Sequence, residues 1–299
     1  MKKYFLLFLI FIGQKLYAQD FEMFSVQSSF FQKRDIKEKT QDDKVAYMDF
    51  SVALTIPQVF NNSETILAHT LEYSNLKTKT ELVSNNSSNK YSSDFHSLAY
   101  NLNFNQKLND KWRINIGLSP TLTSDFEEGL TKKDFTLLAN ALLLRMKSER
   151  LNYGFGLVFS NSLGRELLLP FAVLNYSTGR KTLNVTFPQK ISLMFNTENK
   201  NVFYGFSAFL NGAQYNTNIR RQQFSFVTDR VSYSDLNLGG TLEFRLKGGI
   251  YARTSFGMAM FRALELQNES KDTIDVTPKN GLFFNTGIIF YPLRGKASK

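Results

Sequence analysis

The chain contains no cysteine. That excludes a disulfide framework, thiol chemistry, cysteine-based metal sites and a lipid-anchored N-terminal cysteine. It has one tryptophan and two histidines, His69 and His96. Two histidines among scattered carboxylates match no recognised metal-ligand spacing, so no metal and no other cofactor is expected. After residue 20 no uninterrupted apolar run approaches the ~20 residues of a membrane helix, so any membrane span must be made of strands. Charge of one sign is not concentrated either. The net charge is +10, but Lys2, Lys3 and Lys15 fall in the first 18 residues, and the rest is scattered and mixed in sign. A basic surface for nucleic acid is therefore not expected.

What the chain does have is aromatic residues, 29 Phe and 13 Tyr, which suit strands and the aromatic girdles of a membrane barrel. Its mean hydropathy is −0.25. A helical membrane bundle would be far more apolar, whereas a barrel whose alternate residues face a polar lumen would not. The first residues, MKKYFLLFLIFIGQKLYAQD, have a basic start, a short apolar run from Phe5 to Ile12, and Leu-Tyr-Ala before Gln19. They read as an export signal over 1–18, cleaved after Ala18, ahead of a single domain over 19–299.

That domain alternates with period two between polar turns. Over 98–105, Leu98, Tyr100, Leu102 and Phe104 oppose Ala99, Asn101, Asn103 and Asn105. The segments 112–123 and 235–246 behave alike. The apolar faces run for about ten residues, enough to cross a bilayer when tilted, and short turns alternate with long polar loops at 33–44, 77–92, 124–133, 215–230 and 264–279. The pattern predicts an all-β chain forming a transmembrane antiparallel up-and-down barrel, with both ends on the periplasmic side. Strand parity closes only if 181–196 holds a tight hairpin at Phe187-Pro188-Gln189, since proline is hostile to a central strand. That gives 14 strands. Twelve, with an irregular 168–196 region, is the alternative.

Pro170 and Pro188, with the Tyr204-Gly205 strand, resemble a family of uncharacterised outer-membrane β-barrels, domain-of-unknown-function proteins with the same signal-then-barrel layout. The resemblance implies fold and a Gram-negative outer-membrane location. It supplies no catalytic residue.

Candidate chemistry is sparse. His69 and His96 share their faces with Leu67, Leu71 and Leu98 and so point outward. Ser97 points inward and cannot pair directly with His96 as nucleophile and base. Asp42-Asp43 and Glu127-Glu128 read as loop charges, and Gly239-Gly240 marks a bulge or a close approach. Lumen-lining candidates are Glu72, Arg113, Asp235, Glu243, Arg245 and Arg253. A hairpin turning at Lys247-Gly248-Gly249 places Glu243 opposite Arg253 and Arg245 opposite Tyr251, either as a charged constriction or as internal bracing. The expected role is a passive small-solute channel or a structural envelope protein, without enzymatic activity. A lipid- or lipopolysaccharide-modifying enzyme and a loop-binding protein are the alternatives. Expected partners are outer-membrane lipid, lipopolysaccharide and the barrel-insertion machinery.

Overall fold

Alternation makes strands, and strands with one apolar and one polar face close into a ring so that no edge is left unpaired. A computed structural model shows that ring. It describes residues 21–37, 43–60, 64–84, 87–127, 129–217, 228–268, 270, 272–292 and 294. The expected export signal lies outside the described residues.

The strands are β1 (Phe24–Asp35), β2 (Lys44–Phe60), β3 (Thr65–Ser84), β4 (Ser87–Lys107), β5 (Trp112–Ser124), β6 (Phe135–Ser148), β7 (Leu151–Ser160), β8 (Leu167–Ser177), β9 (Lys181–Phe187), β10 (Lys190–Asn196), β11 (Val202–Asn216), β12 (Arg230–Lys247), β13 (Ile250–Gln267), β14 (Thr273–Asp275) and β15 (Gly281–Phe290). Each pairs antiparallel with its neighbour, and β1 closes on β15 from Phe24↔Phe290 to Phe31↔Phe283. Strand β14 only borders the outer end of β13. Fourteen strands therefore form the barrel. The β9–β10 hairpin turns at Pro188-Gln189, which excludes the twelve-strand alternative.

Two expectations need correction. The stretch 77–92 is not a long loop. Strands β3 and β4 continue to Ser84 and from Ser87, pairing throughout. Above a membrane a strand has no need of an apolar face, so alternation fades while pairing persists, with Lys77 bridging Asp94 at 3.3 Å. Likewise β13 runs to Gln267, into the expected loop at 264–279. Gly239-Gly240 forms no bulge. An added Cβ at Gly239 would lie 2.4 Å from the Phe256 carbonyl oxygen, so a close approach requires the glycine.

The outer surface carries exposed Leu71, Leu98, Phe155, Leu157, Leu168, Phe206, Phe256 and Ile288, a contiguous apolar area far beyond what a water-soluble surface tolerates. The interior is divided. Strands β5 and β11 meet in a parallel bridge, Asn216↔Ser124, because the top of β11 leans across the ring. Tyr215 stacks on Phe95 of β4 with centroids 5.4 Å apart. At that level β11, β12, β13, β15 and β1 to β5 form a ring of nine strands. A ring of about eight strands is just filled by its own side chains, and this one is. Phe31, Val45, Tyr47, Leu76, Phe95, Tyr215, Val231, Tyr233, Leu264 and Phe283 form one buried cluster there. Lower down all fourteen strands take part, and the ring is too wide to fill.

Candidate functional site

The lumen is the site, and its two parts are built from different chemistry. In the outer part Asp235 is buried among apolar and aromatic side chains. The Tyr47 hydroxyl donates to Asp235 Oδ2 at 2.8 Å, and Arg262 Nε donates to the Tyr47 hydroxyl oxygen at 3.0 Å. The Asn237 amide also donates to Asp235. The Arg262 guanidinium lies 4.6 Å over the Tyr47 ring and bonds the Lys279 carbonyl at 3.1 Å. An acid and a base are thus held in a dry core through one shared hydroxyl, since neither could stay there uncompensated. Above them is a crevice of about 40 Å³, lined by Thr78, Phe95, Val231, Leu266 and Val276 among others. It has room for a few waters and gives no passage.

Arg262 points inward because of a local defect. Tyr251, Arg253, Ser255 and Ala259 of β13 face the interior. At Phe261 the backbone adopts φ 48°, and the register with β12 slips beyond Leu236↔Met260. This bulge inverts the phase. Phe261 becomes the most exposed large apolar side chain, and Arg262, Leu264 and Leu266 turn in.

In the inner part Glu243 faces Arg253 in register. Arg253 Nη2 lies 2.6 Å from Glu243 Oε1. Arg294, beyond the last strand, pairs with the other carboxylate oxygen. Its guanidinium stacks 3.8 Å over Phe203 and 4.5 Å over Tyr291. With Met194, Tyr251 and Ile289 these rings line one side of the inner end. Elsewhere the chamber is polar and keeps water-accessible surface at Asp49, Glu72, Asn101, Asn103, Asn115, Asn140 and Asn184, while Lys190 is exposed within it.

The six lumen candidates therefore do not form one constriction. Glu243 and Arg253 meet. Glu72 accepts from the Asn101 amide at 3.4 Å on the chamber wall. Asp235 belongs to the outer core. Arg113 bonds Asn105 at 2.7 Å and the Glu64 carbonyl at 3.4 Å, at the inner rim. Arg245, in register with Tyr251, donates to the Gly248 carbonyl at the hairpin turn. Tyr47, Arg262 and Arg294 were not among the sequence candidates. One wall of the chamber also departs from the expected polar face. On β6 to β8 the inward residues Leu138, Leu142, Leu144, Val158, Leu169, Phe171 and Val173 are apolar.

Both histidines lie on the outward face and bond tyrosines. His69 Nδ1 is 2.6 Å from the Tyr100 hydroxyl, and His96 Nδ1 is 2.8 Å from that of Tyr73. Among the described residues no group of three or more side chains is placed to hold a metal ion.

The sequence matches the profile of a family described as a domain of unknown function (DUF6268) over residues 14–290. No curated protein matches it. Among solved structures, the TodX monoaromatic hydrocarbon channel is similar at 8% identity and a TM-score of 0.46, covering 89% of this chain and 88% of its own. OprB of Pseudomonas putida is similar at 10% and 0.39, covering 90% and 91%. LpxR from Salmonella typhimurium is similar at 9% and 0.36, covering 89% and 99%. At such similarity these proteins say nothing of what this chain carries or converts.

Proposed function

The chain belongs to the family of unknown function matched over residues 14–290, and from that premise we propose that it is an outer-membrane channel for small solutes whose straight path is shut at the outer end. The exposed apolar outer face supports a membrane location, since strands that satisfy every backbone group within a closed ring are one of two ways to cross a bilayer. An export signal over 1–18 and a Gram-negative host belong to the same proposal.

The observation that carries the channel role is the contrast inside the ring. A barrel built only to brace the envelope gains by filling its interior. Here the nine-strand part is filled, while the fourteen-strand part keeps solvent-accessible surface at the inward-facing Asp49, Glu72 and Lys190. The His–Tyr pairs outside the barrel support a place in the aromatic girdle, which favours the channel over a lipid hydrolase.

Conductance across planar bilayers tests this. The native protein is expected to conduct weakly, and Phe95→Ala/Tyr215→Ala/Tyr233→Ala is expected to give stable open steps by emptying the outer core. A folded triple variant that stays silent would overturn the channel and leave a structural envelope role.

A further inference from the structure

The wall of the barrel is not complete at every height. The outer rim descends from β5 to β9. Strand β6 starts opposite Leu122, β8 starts opposite Ser160, and β9 ends at Phe187 opposite Ala172. Strands β9 and β10 have only seven residues each. At ~3.3 Å per residue and a tilt near 40°, their hairpin rises about 18 Å. The apolar band of such a barrel is about 25 Å tall, so the tip at Pro188-Gln189 ends within the hydrocarbon. The outward side chains agree, because Leu168 and Pro170 of β8 lie above that tip and are still exposed and apolar.

Above the tip a gap opens. Among the described residues, 167–171 of β8 have no strand partner on the β9 side. Strand β11 receives its last bond from that direction at Leu210, whose N–H donates to the Gln189 carbonyl at 2.8 Å. It then leans inward to Ser124 of β5. Among the described residues, only loops and the short 3-10 turn Lys132–Asp134 cross the gap. The Ser162 carbonyl rests against Gly212, where an added Cβ would lie 2.3 Å from it, and Lys133 reaches Asp229 at 3.7 Å.

The inner surface leading to the gap is the apolar wall. Phe171 and Val173 stand opposite Gly156 and Gly154, which bring β7 close against the β6 backbone, so that Leu142, Leu144, Phe171 and Val173 make up one apolar stretch of wall. At the foot of the gap is Lys190, the first residue after the hairpin turn. It shares the inward phase of Ser192 and Met194 and is exposed inside the chamber. A cation at the sill and an apolar wall beside a gap that opens sideways at hydrocarbon height suit one kind of occupant.

We propose that this gap is a lateral portal between the chamber and the membrane, taking an anionic single-chain amphiphile with its head at Lys190 and its hydrocarbon chain along Leu169, Phe171 and Val173. This deepens the channel reading by naming a solute class and a side route, and it rests on that reading for the chamber's role in transport.

The test uses the protein reconstituted in phosphatidylcholine vesicles, with its one tryptophan removed by Trp112→Phe. A tryptophan is then placed at Val173 inside the portal, Leu168 outside it, or Asn103 on the far polar wall. Leu169→Trp is a second inside position should Val173→Trp not fold. The probe is a long-chain fatty acid with a nitroxide near its chain end. Quenching at Val173→Trp is expected to approach that at Leu168→Trp and to exceed clearly that at Asn103→Trp. Adding Lys190→Gln is expected to at least halve it while leaving Leu168→Trp unchanged. Quenching inside no stronger than at Asn103→Trp overturns the portal, and insensitivity to Lys190→Gln overturns the anionic head. Strong quenching in a protein whose triple variant never conducts would sink the channel and spare the portal, so the two failures are distinguishable.

Discussion

The outer and inner halves of the lumen are lined by strands of one sheet, yet they meet opposite packing problems. In the outer half the Asn216↔Ser124 bridge draws the ring in to nine strands. Phe31, Tyr47, Tyr215, Tyr233 and Phe283 then suffice to fill it, and Asp235 and Arg262 within it are joined through the Tyr47 hydroxyl. In the inner half all fourteen strands remain, side chains cannot bridge the width, and Glu243, itself buried, is clasped by Arg253 and Arg294 at one side of the chamber. Circumference, more than composition, decides whether a charge sits inside a filled core or against the wall of an open chamber. The energetic weight of a charge should follow.

The sharpest test compares two arginines. Arg262→Met leaves Asp235 in a dry core, and breaking a buried pair of this kind costs about 3–5 kcal/mol, readable by urea unfolding of the folded barrel. Next is the tightness of the narrow side. Gly239→Ala drives a Cβ into the Phe256 backbone and is expected to cost about 1–3 kcal/mol. Gly240→Ala, whose nearest obstacle is the Gly205 carbonyl at 3.9 Å, should be near neutral by the same assay. Arg294→Met is expected to cost about 1–2 kcal/mol, because Arg253 still pairs the buried Glu243 through its other carboxylate oxygen. A loss as large as that of Arg262→Met would break the distinction between the halves.

The smallest effect lies outside the barrel wall, at the β4–β5 turn. A hydrogen bond from Lys107 holds the Asp110 carboxyl below its ordinary range. A depressed carboxyl pKa contributes stability above the unfolded value, lost as pH falls through the folded one. The pair is fully exposed, so the contribution is small: Asp110→Asn should lower neutral-pH stability only slightly, leave stability below the folded pKa unchanged, and so flatten the acid limb of a thermal-unfolding series.

The barrel was legible because its cause is local. Period-two alternation and turn residues mark each strand, and parity demanded the Pro188 hairpin even though its strands are short. The facing of Glu243 and Arg253 likewise follows from one tight turn. The outer core was not legible. Alternation counted on from Arg253 sends Arg262 to the lipid, and only the bulge at Phe261 reverses it. No local signal marks a β11 end that leans across to β5, because that contact joins residues far apart in sequence. The apolar wall of β6 to β8 is half visible. Leu142, Leu143 and Leu144 run together without alternation, as expected where both faces are apolar, but their partner glycines on β7 acquire meaning only once the register is known.

The low β9–β10 hairpin also acts on what surrounds the barrel. A wall of about 18 Å beside neighbours that rise higher presents a hydrophobic height that varies with bearing around the circumference. Lipids beside that hairpin must shorten or splay, or the whole barrel must lean toward them. The membrane is then thinnest along one fixed direction of the molecule, and shorter-chain lipids are expected to collect there.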